Sequence, residues 1–408
     1  MPNLSVLKST AFSLVLLVFS CKGQTHPPEK ISNPEKNKSP NQVVVAANQT
    51  DAYLPLLKGK TIGVVANQTS VIFKAEGHTH LVDSLLSLGI KVNKVFAPEH
   101  GFRGRADAGE LVEDGLDKKT GLPIVSLYGK NKKPSREQLE GIDIVVFDIQ
   151  DVGVRFYTYI ATLHLVMEAC AENNIPVLVL DRPNPNGHYI DGPTMQAEHT
   201  SFLGMTTIPL VYGMTIGEYA MMLNGEDWLE NGEQANLQVI PLQNYTHQTS
   251  YSSPIRPSPN LPNDVAINLY PSLGLFEGTY VNAGRGTEFQ FQRYGASFLD
   301  STIYDFSYVP KPNFGSKYPK EEDKKCFGKD LSSHPKMNSV SLQWLMDAYT
   351  YSLDKSKFFN TNSFTKHAGT ALLQKQIEEG LEESKIRETW QEDLDTFKEI
   401  RKKYLLYD

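Results

Sequence analysis

Along the first half of the chain, short and almost wholly apolar runs alternate with stretches of helical periodicity. Residues 61–66 (TIGVVA), 92–97, 142–147 (IDIVVF) and 175–180 each read as a strand buried on both faces, the habit of a parallel sheet. Between them, Leu81, Leu85 and Leu88 share a helical face after a cap at Thr79, and Gly89 stops the helix. Ser135 and Gln138 form a capping box for a short helix ended at Gly141. Ile160, Leu163, Val166 and Met167 mark another helix, running to about Asn173. Four strand-to-helix units in a row predict an α/β fold with a right-handed, mostly parallel sheet and helices on both faces.

The rhythm weakens beyond Gly187. Thr215 and Glu218 form a second capping box, for a helix through Leu223 that Gly225 ends, and residues 237–242 read as a strand. Residues 256–271 are proline-rich and predict an irregular crossing segment, and residues 275–285 run from apolar positions into a small polar loop. From about Leu299 the organisation reads as separate. Residues 310–329 predict an exposed excursion, and helices are expected over 341–352, 370–379 and 386–404, the last with Trp390, Leu394 and Phe397 on one face. This pattern places a domain boundary near Ser297, with a larger domain over 43–297 and a smaller one over 298–408.

The amino terminus has a different character. Lys8 precedes an apolar run from Ala11 to Phe19, short for a bilayer span and suited to a signal-peptide core over residues 1–21. It ends in Val18-Phe19-Ser20-Cys21, which resembles a lipobox and makes Cys21 the candidate lipidation site. Residues 22–42, rich in Pro, Lys and Asn, read as a tether. A lipid anchor and a tether place the folded part at a membrane surface outside the cytoplasm, in the cell envelope and on the periplasmic side. Cys170 and Cys326 form no disulfide framework, and Cys170 sits in an apolar helical pattern as a buried thiol. With 47 acidic and 40 basic residues the chain carries a formal charge of −7, which argues against a nucleic-acid partner held by counterion release.

Chemistry concentrates where the strands end. The exits read NQTS, PEHGFRGR, DIQDVGVR and DRPNPNG, and in an open α/β sheet that edge is where ligands bind. Loops are polar anyway because they are solvated, but solvation alone does not call for Glu99, His100 and Arg103 beside Asp148, Gln150, Asp151 and Arg155. Two carboxylates converging on one pocket suit glycoside hydrolysis, with Glu99 as a protonated acid and Asp148 or Asp151 as the second group. Asp151 reads equally as a helix cap. Arg103, Arg155 and Arg285 match a substrate carboxylate in geometry, or pair with the acidic loops. Tyr157, Asn184 and Asn282 supply the directional hydrogen bonds that sugars need. His78, His80 and His100 lack partners at metal-ligand spacing, so neither a metal nor a cofactor is expected. No G-x-G-x-x-G follows the first strand, and there is no P-loop or G-x-S-x-G elbow.

Four blocks in order, PEHGFRG at 98–104, DIQDVGVRFYTY at 148–159, LDRPNPNG at 180–187 and EGTYVNAGRGTEFQFQ at 277–292, resemble the signature motifs of the exo-β-N-acetylmuramidase (NamZ) family. The resemblance runs from about Leu57 to the final YLLYD. It implies a Rossmann-like domain, a smaller α+β C-terminal domain and an active site in the cleft between them. It also implies removal of N-acetylmuramic acid from non-reducing ends of peptidoglycan fragments, with Glu99 at the position of the family's catalytic glutamate. The lactyl carboxylate of that sugar gives an arginine a task. The substrate N-acetyl group offers an alternative to a second carboxylate. Tyr280 and Phe289-Gln290 stand where the family more often has Asn and Leu-Pro. A sugar-binding lipoprotein without catalysis is the competing reading, since an interdomain α/β cleft also suits a binder.

Overall fold

The computed structural model describes residues 42–104, 110 and 114–408. The expected signal segment, Cys21, the tether up to residue 41 and Arg105 lie outside the described residues. From Val43 to Asp408 the chain forms one compact unit.

Its centre is a seven-stranded sheet. Read across, the strands are Leu237–Ile240, Val177–Leu180, Ile144–Asp148, Thr61–Ala66, Lys91–Ala97, Pro123–Ser126 and Gly115–Leu116. All pair in parallel except the last, a two-residue antiparallel edge. The chain starts in the middle, moves outward one way, then returns to pair Ile144–Asp148 with Thr61–Ala66. That reversal is a topological switch point, and it opens a crevice at the carboxyl ends of the strands.

Both faces are covered. Ile62, Val64, Val95, Val146, Leu178 and Leu180 pack with Tyr53, Leu81 and Leu85 on one side. Val65, Phe96, Val145, Phe147 and Val179 pack with Ile160, Leu163, Val166 and Met167 on the other. The alternation follows the period of two of a strand, and residues facing either way are apolar because neither face meets water. Cys170 belongs to the second layer, where burial pushes its thiol up to about 12.

Beyond the sheet, Arg293–Ala296, Cys326–Asp330 and Phe306–Tyr308 form a small antiparallel sheet with Cys326–Asp330 central. Helices Gln343–Thr350, Thr361–Ala368, Leu372–Glu378, Glu383–Glu388 and Gln391–Arg401 follow. Both capping boxes form as the sequence predicts, at Ser135 with Gln138 and at Thr215 with Glu218.

Several local expectations are corrected. The helix after the first strand is capped by His80 instead of Thr79, because residues 78–80 pair as a strand with 71–73. Burial lowers the His80 imidazole to about 4, so the ring is neutral: Nδ1 accepts from the Val82 N–H and Nε2 faces the Asn67 carbonyl at 2.9 Å. The proline-rich crossing contains the helix Asp264–Leu273, started by the Asn263 side chain and tolerating Pro271 near its end. The last expected helix is broken at Trp390, whose backbone leaves helical geometry. The excursion over 310–329 is not all exposed, since Ser316 and Cys326 are buried.

The crevice is fastened by a buried ion pair. Asp148 ends one central strand and Arg182 follows its neighbour, both essentially without solvent exposure. Arg182 Nε and Nη2 donate to the two Asp148 oxygens at 2.6 and 2.9 Å, and Nη2 also donates to the Val71 carbonyl at 3.1 Å. Ser70 Oγ donates to the Asp148 carbonyl. Three strand exits are thereby tied together. Asp148→Asn leaves a buried guanidinium short of its counter-charge and is expected to lower the unfolding free energy by about 3–5 kcal/mol. Asp148→Leu with Arg182→Met is expected to restore most of that loss, as read by urea unfolding.

Candidate active site

Ala97 ends its strand at Pro98, and the backbone then turns so tightly that His100 and Gly101 both take left-handed conformations (φ 68° and 76°). Gly101 N–H closes the turn on the Pro98 carbonyl at 2.9 Å. The turn sets Glu99 on the wall of a cavity of about 310 Å³ at the carboxyl edge of the sheet. Thr158 Oγ1 donates to Glu99 Oε2 at 2.7 Å. Tyr128 lines the same wall, and burial, then the negative charge of Glu99, pushes its phenol well above the ordinary range. His100 is buried beside it, with Nε2 3.1 Å from Ser258 Oγ.

Another part of the lining comes from later chain. Arg285 stands between Gly284 and Gly286, both at φ 78°. A Cβ on Gly284 would lie 2.4 Å from the Phe289 carbonyl oxygen, and one on Gly286 2.7 Å from Pro319 Cβ, so neither position has room for a side chain. Asn282 fixes the turn from beneath. Its Nδ2 donates to the carbonyls of Arg285 and Lys320 at 2.9 and 2.8 Å, while its Oδ1 accepts from Gly284 N–H and the Tyr308 hydroxyl. Arg285 Nη1 donates to Glu277 Oε2 at 3.1 Å and Nη2 to the Gly315 carbonyl at 3.3 Å, leaving Nε buried without a partner.

Glu277 belongs to the tight turn Gly274–Gly278, which extends the helix Asp264–Leu273. Gly274 allows the Phe156 ring to lie against that turn, since a Cβ there would sit 2.4 Å from the ring. Lys320 Nζ donates to the carbonyls of Phe276 and Glu277 at 2.9 and 3.1 Å. Burial works to raise the Glu277 carboxyl, but the positive charges of Lys320 and Arg285 outweigh it and hold the group at about 2. His367 completes this wall. Its Nδ1 lies 2.8 Å from the Ser363 carbonyl, which can only accept, so the proton sits on Nδ1; burial depresses the ring's basicity and keeps it neutral.

Of the residues that sequence reasoning singled out, Glu99, His100, Tyr157 and Arg285 line this cavity. The others hold the frame around it. Asp148 is committed to Arg182. Asp151 is buried behind the wall, its Oδ2 accepting from Gly153 N–H and the Tyr212 hydroxyl, and burial raises it to about 6. Arg155 is fully buried and spends its guanidinium on four backbone carbonyls, those of Pro193, Ile208, His367 and Ala368. Two of these close a helix C-terminus, where a cation is favourable. Arg103 pairs with Asp117 at 2.7 Å and Asp83 at 3.2 Å. Gln150 donates to the Asp151 and Pro183 carbonyls, and Asn184 to that of Met214. Tyr157 contributes its ring to the cavity while its hydroxyl donates to the Pro257 carbonyl at 2.6 Å. Glu277, Thr158, Tyr270 and His367 line the cavity and escaped sequence reasoning. For Glu277 a signal existed: it opens the block that contains Gly-Arg-Gly-Thr.

A larger hollow of about 530 Å³ lies between Gly187–Ile190 and the segment from Lys398 to Asp408, but Asp408 is its lone acidic lining residue. It lacks a second acidic side chain. Among the described residues no cluster of three metal-ligating side chains occurs.

Comparison with known proteins identifies the family. The model of the exo-beta-N-acetylmuramidase NamZ N-terminal domain matches residues 62–265, and that of its C-terminal domain matches residues 268–407. The peptidoglycan beta-N-acetylmuramidase NamZ of Bacillus subtilis (strain 168) is 38% identical over 380 residues, covering 87% of this chain and 89% of the relative. A crystal structure of a DUF1343 family protein from Bacteroides fragilis NCTC 9343 superposes with a TM-score of 0.82 at 44% identity, covering 90% of this chain and 99% of that one. A second DUF1343 protein of the same organism gives 0.75 at 27% identity, covering 90% and 100%. The chain is an enzyme, and it belongs to the NamZ family of glycoside hydrolases.

Proposed function

We propose that the enzyme removes single N-acetylmuramic acid residues from the non-reducing ends of peptidoglycan fragments, with Glu99 as general acid. The observation that carries this reading is that Glu99 and Arg285 line the same small cavity. A cavity of about 310 Å³ is at the low end of small-ligand pockets (~300–1,000 Å³), room for one sugar residue and not for a chain threaded through. The name of the Bacillus subtilis relative, a peptidoglycan beta-N-acetylmuramidase, supports the same substrate class.

The chemistry divides between the walls. On one, the Glu99 carboxyl is steadied by Thr158 through one oxygen, and the proton of its acid form goes to the glycosidic oxygen as the bond to the anomeric carbon breaks. On the other, Arg285 and Lys320 bring two positive charges against the single negative charge of Glu277. The surplus of positive charge suits a substrate anion. Of the three arginines the sequence offered, Arg103 and Arg155 are consumed elsewhere, which leaves Arg285 to receive the lactyl carboxylate. We propose in addition that Cys21 is lipid-modified and holds the enzyme on a membrane outside the cytoplasm, where its substrate is made. The apolar run before Cys21 supports that placement.

Glu99→Gln is expected to lower kcat by about 10²–10⁴-fold on the muramic acid–glucosamine disaccharide, and by less on a glycoside with a nitrophenol leaving group that needs no proton. Equal losses on both would remove Glu99 as the acid. Arg285→Met is expected to reduce kcat/KM for muramic acid glycosides by about 10²-fold more than for the N-acetylglucosamine analogue that lacks the lactyl group, the loss common to both reflecting its contact with Glu277. Steady-state kinetics on the two substrates checks this. Cys21→Ser is expected to move the protein from the membrane to the soluble fraction on ultracentrifugation.

A further inference from the structure

Among the described residues, two carboxyl groups line the cavity, Glu99 and Glu277. They come from separate parts of the chain, the turn after the Lys91–Ala97 strand and the turn Gly274–Gly278. Tyr270 lines the same cavity, and after burial the negative charges of Glu277 and then Glu99 push its phenol upward. The Arg285 bond to Oε2 fixes the orientation of the Glu277 carboxyl. With Asp148 and Asp151 both buried in the frame, Glu277 is the group left for the second role.

We propose that Glu277 is the second carboxylate of the hydrolysis, facing the anomeric carbon as an anion while Glu99 handles both proton transfers. The inference rests on the muramidase reading above. Glu99 gives its proton to the glycosidic oxygen, the bond from C1 to that oxygen breaks, and the electron pair leaves with the aglycone alcohol. The positive charge shared by C1 and the ring oxygen is stabilised by the Glu277 carboxylate. The oxygen of one water then bonds to C1, and the released proton passes to Glu99 and restores the acid. One water is consumed, and one alcohol and one reducing sugar are produced.

The surroundings of Glu277 fit this division. Arg285 Nη1 already occupies Oε2 at 3.1 Å, and the charges of Lys320 and Arg285 keep the carboxyl ionised, so it is a poor acceptor for a proton from water near neutrality. The incoming water therefore depends on Glu99, and enters from the face that Glu99 occupies. The sugar leaves with the β configuration it had in the glycan.

The full-length enzyme acting on the muramic acid–glucosamine disaccharide tests the proposal. Proton NMR during the first turnovers is expected to show the β anomer of N-acetylmuramic acid forming ahead of mutarotation. Glu277→Gln is expected to lose about 10³-fold in kcat with KM changed less than about threefold, because the interaction lost is one made in the transition state. In Glu277→Ala, azide is expected to restore turnover and to leave an α-linked glycosyl azide. First formation of the α anomer by wild-type enzyme would overturn the proposal, and that arm needs no variant to fold. So would a Glu277→Gln enzyme with kcat within about tenfold of wild type, or one altered in KM alone, as expected if Glu277 merely steadied Arg285. Wild-type enzyme that releases no muramic acid would sink the muramidase reading instead.

Discussion

The pairing of Asp148 with Arg182 is the constraint on which the site depends. Two charges without solvent must satisfy each other, and the bidentate geometry lets them do so only when the exits of adjacent strands hold one relative position. The third Arg182 contact, to Val71, brings in the exit of the first strand, and Ser70 locks the same place from the other side. A hydrophobic pair of equal volume would pack there as well, but it would not fix direction. The ion pair sets the angle at which the chain leaves the sheet, and through it the places of Tyr157 and Thr158 along the cavity.

The second wall is set by backbone geometry more than by charge. Gly284 and Gly286 let the chain fold back so tightly that Arg285 projects from the apex, and Asn282 satisfies the carbonyls that the turn would otherwise leave bare. The turn bearing Glu277 depends in the same way on Gly274 and Gly278, where any side chain would strike Phe156 or Phe364. Charge then acts on a scaffold already fixed. Lys320 and Arg285 hold Glu277 as an anion although burial alone would neutralise it.

The sheet was legible in the sequence because its signal is local: an apolar run of four to six residues bounded by turn residues says most of what a parallel strand needs to say. The capping boxes at Ser135 and Thr215 were legible for the same reason. The Thr79 cap failed because residues 71–73, across a turn, recruit residues 78–80 into a hairpin, which no helical periodicity reveals. Glu99 could be found from its position past a strand end. Asp148 and Arg155 looked equally chemical, and what separates them from Glu99 is the company they keep, Arg182 in one case and four carbonyls in the other. Those partners are 34 or more residues away in the chain, so sequence order carries no trace of them. Glu277 was hidden by the opposite effect, a lone acid among apolar neighbours that became part of a site only when Arg285, Lys320 and His367 gathered round it.

Arg155 has a consequence of another kind. Its guanidinium lies between the carbonyls of Pro193 and Ile208 on one side and those of His367 and Ala368 on the other, so the early and late parts of the chain meet at a single buried cation. The hollow comes into existence only when the last helices have docked onto the first sheet. A partly translated or clipped chain has Glu99 but no opposing face for a sugar to lean on. Hydrolytic power is therefore withheld until folding is complete.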